Sequence, residues 1–293
     1  MITDPKGTGL MPQPDEPGTD ATNHGDFRLS ITQALGDQLA VALKRLTPAP
    51  LTEANLDRLA DRAGVYQLYR NGEFVYVGKA DKSLPTRILK HLKKVSGRQG
   101  ISLAEMAFTC LYVAEDFSAL APEKLLINHY KKRGQIRWNN NGFGNNDPGK
   151  RRDETVVKAN HFDALFRIDL ERVISGFKPG PMPLSKVLAR VSAEAPYTFR
   201  YEKKKMGGAY KREVEIPDGE LTIAQLLELI AGSLPTEWQI AVLPGRVIMY
   251  PDNRRDYPSV WRYYRGAQIL DVEPEIGEVG EIPEEPDAAE DDE

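Results

Sequence analysis

The segment GVYQLYRNGEFVYVGKA, Gly64–Ala80, predicts a β-hairpin, and this hairpin decides the fold. Two runs rich in aromatic and β-branched residues flank Asn71-Gly72, a pair typical of tight hairpin turns. The first strand carries Tyr66 and the second carries Tyr76. Whether these two phenols share a surface depends on the length of the loop between the strands.

Two loop lengths are open, and they place the tyrosines differently. With a two-residue Asn71-Gly72 turn, position 67 faces Tyr76 and the tyrosines lie on opposite faces, because side chains alternate along a strand. With a three-residue loop from Arg70 and a left-handed Gly72, Tyr66 lies directly opposite Tyr76. A shared site requires one surface, so we predict that the tyrosines are cross-strand neighbours on the same face.

Length and composition limit the classes of protein that remain. The chain has 293 residues, of which 41% are hydrophobic and 28% charged, which suits two modest globular domains. It contains no apolar run of about 18 residues and no signal segment, so we expect a cytoplasmic protein without a membrane partner. The single Cys110, in the apolar run MAFTCLYV, predicts a buried inert thiol and excludes disulfides and cysteine-rich zinc sites.

The formal charge is distributed unevenly. The net charge is −4, but Glu273–Glu293 holds 11 acidic residues and no basic one, which leaves +7 for residues 1–272. Gly64–Asp153 holds 16 Lys or Arg against 8 Asp or Glu. Such a basic region suits a polyanionic partner, and a solvated lysine-rich surface is the alternative.

The order of predicted elements favours an α+β fold. Two helices, in Phe27–Leu46 and in LTEANLDRLADRA with Thr52 as its N-cap, precede the hairpin. A helix near Pro85–Val95, a strand near Ala107–Val113 and a helix opened by Pro122 follow it. This order predicts a small mixed or antiparallel β-sheet flanked by helices, followed by a small strand-strand-helix-strand-strand domain.

Composition shifts divide the chain into five segments. We predict a disordered N-terminal arm at 1–26, a first domain with N-terminal helices at 27–176, a linker at 177–195, an accessory α/β module at 196–253 and a C-terminal segment with an acidic tail at 254–293. The accessory module resembles the N-terminal βαβ modules of secretins and TonB. It is interpreted as an interaction or DNA-contact module, with a purely buttressing role as the alternative.

The helix SLPTRILKHLKKV supplies a basic element. Arg87 and His91 are four residues apart and share a face, while the apolar stripe can be buried. That stripe consists of Ile88, Leu89, Leu92 and Val95. A guanidinium suits a phosphate and an imidazole can move a proton near neutral pH, although an exposed pair of this kind is often only solvated.

Two further features have both a structural and a functional interpretation. Glu123 follows Pro122 at a helix start, where the helix dipole alone favours a carboxylate, but it also predicts a hard oxygen ligand for Mg²⁺. Asparagines crowd around Gly142-Phe143-Gly144, which turns alone could explain. These asparagines are Asn139, Asn140, Asn141, Asn145 and Asn146.

These residues together resemble the GIY-YIG nuclease superfamily. Gly64-Val65-Tyr66 and Tyr76-Val77-Gly78 resemble its two name-giving tripeptides, with Val in place of Ile in both. Lys79, Arg87, Glu123 and Trp138-Asn139 follow in the expected order. Over roughly residues 50–175 the chain looks most like the type II restriction endonucleases that cut a GC-rich palindrome of the CCGCGG type. The features behind this are His91 and the blocks GFGNNDPGKRRD and HFDALF.

The resemblance implies hydrolysis of a DNA phosphodiester at one Mg²⁺, for which Mn²⁺ can substitute. Tyr66 would act as general base, helped by His91, and Tyr76 would hold the scissile phosphate or a water. Lys79 and Arg87 would neutralise developing charge and lower the pKa of Tyr66. Glu123 would ligate the metal. Asn139 would fix local hydrogen bonds, with Asn140, Asn141 and Asn145 as alternatives because 16 positions separate Glu123 from Asn139.

The partner implied by the resemblance is double-stranded DNA. The basic residues expected to contact it are Lys90, Lys94, Arg98, Lys150, Arg151 and Arg152. A palindromic target implies a homodimer on DNA, and a restriction enzyme implies a cognate DNA methyltransferase. Two alternatives stay open: a nuclease of DNA repair or of a mobile element, and a catalytically inactive DNA-binding protein on the same scaffold. The sequence leaves the recognition site and the cut position undetermined.

Overall fold

The computed structural model describes residues 31–113, 122–131, 136–139, 141–144, 149–203 and 208–279, without the side chains at 31–33, 122, 123, 128, 131 and 151. The arm predicted at 1–26 lies outside these residues. The first elements in chain order are α1 Ile31–Lys44, β1 Ala49–Pro50, α2 Glu53–Leu56, β2 Gly64–Arg70, β3 Glu73–Ala80, α3 Leu84–Ser96, β4 Met106–Tyr112 and α4 Pro122–Lys131.

The remaining elements follow in chain order. They are β5 Val157–Lys158, α5 Phe162–Leu165, β6 Val173–Ile174, β7 Gly180–Pro183, α6 Leu184–Glu194, β8 Thr198–Tyr201, β9 Glu213–Ile216, β10 Leu221–Thr222, α7 Ile223–Ser233, β11 Gln239–Leu243, β12 Arg246–Tyr250, β13 Arg262–Arg265, β14 Gln268–Asp271 and β15 Ile276–Gly277. The architecture is mixed α+β with several antiparallel sheets, which confirms the predicted fold class at this level.

The first sheet has the strand order β1-β4-β2-β3, with antiparallel neighbours throughout and β3 at one edge. One face packs against α3 in a core that contains Tyr66, Tyr76 and Ile88. The other face packs against α1 and α4 in a core that contains Val65 and Val77. The two tyrosines therefore face α3, whereas α4 covers the opposite side of the sheet.

The hairpin combines a two-residue turn with a β-bulge. Arg70 pairs with Glu73 around a turn whose two residues both have positive φ, 50° and 78°, which is the geometry that favours an Asn-Gly pair. The register then shifts, so that Tyr69 pairs with Phe74 but Leu68 pairs with Tyr76. The extra residue returns Tyr76 to the face of Tyr66.

The outcome for the tyrosines follows from this register. The prediction that they share a face is confirmed, but the prediction that they lie directly opposite each other is wrong. Tyr66 pairs with Gly78, and Tyr76 is its diagonal neighbour. Neither of the two loop lengths considered from the sequence describes the hairpin completely, because neither included a bulge.

Helix α3 begins and ends within one residue of its predicted limits near Pro85–Val95, whereas the helix predicted over LTEANLDRLADRA is much shorter than expected and ends at Leu56. Thr52 caps α2 by accepting a hydrogen bond from the amide of Asn55, although α2 is only one turn long. Ser83 caps α3 in the same way, with its hydroxyl oxygen accepting from the amide of Thr86. Within the described part of the chain, every helix is too short or too polar to span a bilayer.

The segment 177–195, predicted as a linker, contains secondary structure. Its prolines and glycines form β7, which pairs with β9, and α6 follows directly. Leu184, Val187, Leu188 and Val191 of α6 are buried in the second core. Their spacing of three and four residues is the helical pattern that the Pro-Gly run FKPGPMP obscured.

The second sheet has the order β14-β13-β11-β12-β8, with β12 and β8 parallel. The predicted strand-strand-helix-strand-strand order corresponds to β8, β9, α7, β11 and β12, but β9 pairs with β7 outside this sheet. The sheet continues through β13 and β14, beyond the predicted end of the module at residue 253. In addition, β15 pairs in parallel with β5, while the rest of the acidic tail after Val279 lies outside the described residues.

Candidate active site

Tyr66 and Tyr76 lie side by side in the core between the first sheet and α3. Their ring centroids are 6.1 Å apart, and both side chains are buried. Gly78, which pairs with Tyr66 across the hairpin, leaves the space that the Tyr66 phenol fills. A Cβ atom at this position would overlap the Tyr66 hydroxyl and lie 2.8 Å from the Tyr76 ring. The glycine of the Tyr-Val-Gly tripeptide is therefore a packing requirement of the first tyrosine.

His91 contributes the imidazole of this cluster from α3. Its Nε2 lies 2.6 Å from the Tyr66 hydroxyl, and its side chain is 4% exposed. Burial first, and then the positive charges of Arg87, Lys94 and Lys90, hold the pKa of His91 well below its usual value. The imidazole is consequently neutral at neutral pH in this buried position.

Arg87 lies one helical turn before His91 and reaches the same phenol. Its Nε donates to the Tyr66 hydroxyl at 3.3 Å, and its Nη2 donates to the carbonyl of Gly144 at 3.4 Å. Burial lowers the pKa of Arg87, but the neighbouring Tyr66 and Tyr76 hydroxyls outweigh it and raise this pKa overall. The structure thus brings together four of the predicted catalytic residues: Tyr66, Tyr76, Arg87 and His91.

The acidity of Tyr66 differs from the sequence-based expectation. Burial, followed by the adjacent Tyr76, raises the pKa of Tyr66 far above its usual value, and Arg87 offsets this only in part. Lys79 follows Gly78 on β3, so its side chain leaves the opposite face of the strand, and it forms an ion pair with Asp81 at 3.0 Å. Arg87 therefore lowers the pKa of Tyr66 as expected, but Lys79 does not contribute, and burial keeps this pKa above its usual value overall.

Phe143 is a member of the cluster that sequence reasoning missed. Its ring stacks on His91 with a centroid distance of 4.8 Å and an angle of 17°, and it meets Tyr76 edge-on at 5.1 Å. It also contacts Trp138 and Phe162. The sequence signal was a single aromatic residue between two glycines in an otherwise polar stretch. Phe143 fixes the plane of the imidazole that contacts Tyr66.

Each of the two glycines beside Phe143 is required because a Cβ atom there would collide with a different neighbouring side chain. Gly142 has φ +85°, and a Cβ atom there would overlap the imidazole of His161. A Cβ atom at Gly144 would overlap the Tyr76 hydroxyl. The Gly-Phe-Gly segment is consequently shaped by close approach to the cluster, and turn formation alone does not account for it.

Asn139 holds the edge strand that carries Tyr76. Its Oδ1 accepts from the amide of Val77 at 2.9 Å, and its Nδ2 donates to the carbonyl of Val77 at 2.7 Å. The amide of Trp138 donates to the carbonyl of Val75 at 2.9 Å. The side-chain amide imitates a neighbouring strand and covers an exposed sheet edge. Asn139 is therefore a positioning residue.

Of the other asparagines in this stretch, the structure describes Asn141 alone. Asn141 is buried, and its carbonyl accepts from the amide of Phe162 at 2.7 Å. Its Oδ1 has no hydrogen-bond partner among the described residues. Asn140, Asn145 and Asn146 lie outside the described residues, so the alternatives that involve them stay predictions.

Lys94, predicted to contact DNA, binds the loop around Phe143. Its Nζ donates to the carbonyl of Phe143 at 2.7 Å and to that of Gly142 at 3.3 Å. Burial lowers the pKa of Lys94 to about 8. In the structure this lysine positions the loop, and its predicted contact with DNA stays a prediction.

Arg98, also predicted to contact DNA, is 7% exposed. It forms an ion pair with Asp163 at 2.9 Å, and its Nη1 donates to the carbonyls of Phe166 and Pro244 at 3.1 Å each. The predicted DNA contact of Arg98 stays a prediction, which its burial and its existing pairing disfavour. Its structural role is to connect α3 with the segment before β12.

The remaining basic residues lie at the surface. Lys90, Lys150 and Arg152 are exposed, whereas the side chain of Arg151 lies outside the described residues. Asp153, which the sequence analysis did not single out, is fully buried and accepts hydrogen bonds from Arg246 Nε and Arg200 Nη1, each at 2.7 Å. These bonds anchor the basic segment 150–152 to the second sheet.

The metal assignment rests on Glu123 at the start of α4. Helix α4 packs on the sheet face opposite the tyrosines, and the Glu123 side chain lies outside the described residues, so its role stays a prediction. The described residues contain no cluster of three His, Cys, Asp or Glu side chains that could hold a metal ion. Mg²⁺ does not require such a cluster, because it usually keeps several waters and needs few protein ligands. One carboxylate, together with water and substrate oxygens, would be enough to bind it.

Comparison with known proteins gives no family assignment. No model of a known protein family matches the chain, and no curated protein sequence matches it significantly. The functional argument consequently rests on the geometry of the cluster described above.

Proposed function

We propose that this chain is a metal-dependent DNA endonuclease of the GIY-YIG type that hydrolyses phosphodiester bonds, most similar to a type II restriction endonuclease with a short palindromic target. The observation that carries the proposal is the 2.6 Å contact between the Tyr66 hydroxyl and His91 Nε2, with Arg87 bound to the same phenol. Tyr76 completes the cluster at 6.1 Å from the Tyr66 ring. These are four of the residue types that the resemblance requires.

The cluster suggests a route for one proton. In the closed structure the raised pKa of Tyr66 and the lowered pKa of His91 both oppose transfer of the phenol proton to His91 Nε2, so this route requires that the site opens and that the bound phosphate, metal and Arg87 lower the pKa of Tyr66. Tyr66 then takes a proton from the water whose oxygen bonds to phosphorus, while the bond from phosphorus to the leaving sugar oxygen breaks and that oxygen gains a proton from a solvent water. Arg87 donates to the charged phosphoryl oxygens and Tyr76 orients the phosphate. Removing one such transition-state contact typically costs on the order of 10²-fold in rate.

Mg²⁺, or Mn²⁺ in its place, would be held by Glu123 and would supply positive charge to the phosphoryl oxygens. Asn139 acts indirectly, by holding the strand that carries Tyr76. The exposed Lys90, Lys150 and Arg152 contribute contacts to the DNA backbone. A palindromic duplex requires two active sites and hence a homodimer on DNA, together with a methyltransferase that protects the host genome. Such an enzyme acts in the cytoplasm.

A nuclease of DNA repair or of a mobile element would use the same cluster on a different target. A catalytically inactive DNA-binding protein on this scaffold is the other alternative. The complete burial of Tyr66 favours it, because a substrate reaches this phenol only after the site opens. The presence of both tyrosines, Arg87 and His91 in one place favours an enzyme.

Incubation of supercoiled plasmid with the protein, with and without Mg²⁺, tests the proposal. We expect Mg²⁺-dependent linear products with one set of ends, which sequencing of those ends identifies as a palindromic site. Cleavage at branched structures instead would favour the repair nuclease, and binding without cleavage would favour the inactive scaffold.

Glu123→Gln should abolish this cleavage and leave DNA affinity nearly unchanged, because it removes the charged metal ligand and none of the basic contacts. Affinity is measured by a filter or fluorescence assay on the same DNA. Cleavage by this variant at the wild-type rate would exclude Glu123 as the metal ligand.

A further inference from the structure

A crevice of about 530 Å³ lies between the end of α3, the segment around β5 and the start of β12. Basic side chains enter it from all three directions. Lys93 comes from α3, Arg152 and Lys158 from the segment around β5, and Arg246 from β12. The crevice therefore joins the part of the chain that holds the tyrosine cluster to the second sheet.

The charges that line the crevice are only partly neutralised. Asp163 is its one acidic residue among the described lining, and it pairs with Arg98. Arg246 pairs with Asp153. The exposed Lys93, Arg152 and Lys158 form no ion pair with any described residue. A concave surface with three such cations attracts an anion, since the one carboxylate in the described lining, Asp163, is already paired with Arg98.

The crevice lies beyond the tyrosine cluster along α3. Arg87 and Lys94 lie seven residues apart on α3, which corresponds to about 10 Å along the helix axis. Gly142 lines the crevice, and Gly144, two residues later, contacts Tyr76. A strand of DNA that places one phosphate beside Arg87 therefore has its neighbouring phosphates within reach of the crevice.

We propose that this crevice binds the phosphodiester backbone of DNA at phosphates beside the scissile one, so that the second sheet forms part of the DNA-binding surface. The inference rests on the proposed function for the identity of the polyanion. Its physical basis is separate, because it requires only the three unpaired cations and the shape of the crevice.

The test compares two double variants that remove the same charge. Lys93→Gln with Lys158→Gln changes the crevice, while Lys44→Gln with Lys178→Gln changes two exposed lysines outside it. Binding of a mixed-sequence DNA duplex is measured without divalent metal between about 50 and 200 mM salt, because affinity falls over this range in proportion to the number of phosphate contacts. Each lost phosphate contact should make the slope of log affinity against log salt shallower by about 0.9.

For the crevice variant we expect the slope of log affinity against log salt to become shallower by about two units. At the lowest salt this variant should bind DNA about 10-fold more weakly than the wild type, and the control variant should bind like the wild type. The variant Lys93→Arg with Lys158→Arg should restore both values, which separates charge from folding. Equal slopes for the crevice and control variants would overturn the proposal. The proposal would also be overturned if inorganic phosphate stabilised the wild type through these lysines but the crevice variant bound DNA like the wild type.

The two proposals fail in different ways. A wild-type protein that cuts no DNA but shows the expected slopes would refute the nuclease and support the crevice. A wild-type protein that cuts DNA, with identical slopes for the crevice and control variants, would support the nuclease and refute the crevice.

Discussion

At the scale of single residues, Tyr66 owes its chemistry to its surroundings. The side chain has no exposed surface, and burial raises its pKa, so the isolated phenol is a weak acid and a base of no use at neutral pH. Its hydroxyl nevertheless touches a neutral imidazole and a guanidinium. The proposed reaction therefore depends on Tyr66, His91 and Arg87 as a group.

The buried His91 predicts a loss of stability in acid. The unfolded imidazole gains a proton near its usual pKa of about 6.5, while the folded one, with its lowered pKa, stays neutral. The unfolded state then binds more protons, so the free energy of unfolding should fall as the pH drops from about 6.5 towards 5, by at most about 1.4 kcal/mol per pH unit for this group.

Denaturant unfolding at several pH values measures this dependence. The variant His91→Gln should weaken the dependence of the free energy of unfolding on pH. Some dependence should remain, because burial also lowers the pKa of His161. An unchanged pH dependence in this variant would show that His91 is not the buried neutral group described.

Residue types at the site could be predicted from the sequence, whereas their electrostatic states could not. Tyr66, Tyr76, Arg87 and His91 come together as predicted. Lys94 and Arg98 carry the same formal charge as Lys90, but the first binds loop carbonyls and the second is buried against Asp163. Such differences arise from residues distant in the chain, which sequence spacing along one helix does not show.

At the scale of elements, the hairpin shows where local patterns suffice and where they do not. The turn at Asn71-Gly72 and the limits of α3 follow from local chemistry, and both were predictable. The bulge between Leu68 and Tyr69 was not, because an extra strand residue depends on packing from both faces of the sheet. That bulge, and not the turn, brings the tyrosines to one face.

Asn139→Ala should loosen the strand that carries Tyr76. The change removes two hydrogen bonds to Val77, and buried polar groups left unpaired cost about 1–3 kcal/mol. We expect the free energy of unfolding to fall by that amount and DNA cleavage to slow. Asn55→Ala, which removes an exposed bond to the carbonyl of Pro50, is the matched control. Equal effects of both changes on unfolding would argue against the edge-capping role.

At the scale of the whole molecule, the two sheets are connected through buried charges. Arg98 reaches the carbonyl of Pro244, and Asp153 binds two arginines of the second sheet. The sequence predicted separate domains with a linker, since proline and glycine marked a boundary that the structure fills with β7 and α6. Long-range ion pairs of this kind leave no periodic signal in a sequence.

The acidic tail predicts an effect on DNA binding that depends on salt. Its first part pairs with β5, so that Gly277 lies opposite Lys158 at the crevice. If the acidic residues that follow compete with DNA for the basic surface, deletion of 280–293 should tighten binding to non-cognate DNA several-fold at about 50 mM salt. The difference should vanish at high salt, because charges are screened beyond about 8 Å already at physiological ionic strength. Equal affinities across the titration would make the tail a passive end.

The rate of Mg²⁺-dependent plasmid cleavage by Tyr66→Phe, compared with Tyr69→Phe, tests the central claim most directly. Tyr69 lies on the same strand but its hydroxyl donates to Gln67 on the other face of the sheet. We predict that Tyr66→Phe cuts on the order of 10²-fold more slowly at unchanged DNA affinity, while Tyr69→Phe cuts like the wild type. Equal cleavage rates for Tyr66→Phe and the wild type, or a wild type that never cuts DNA in Mg²⁺, would contradict the account.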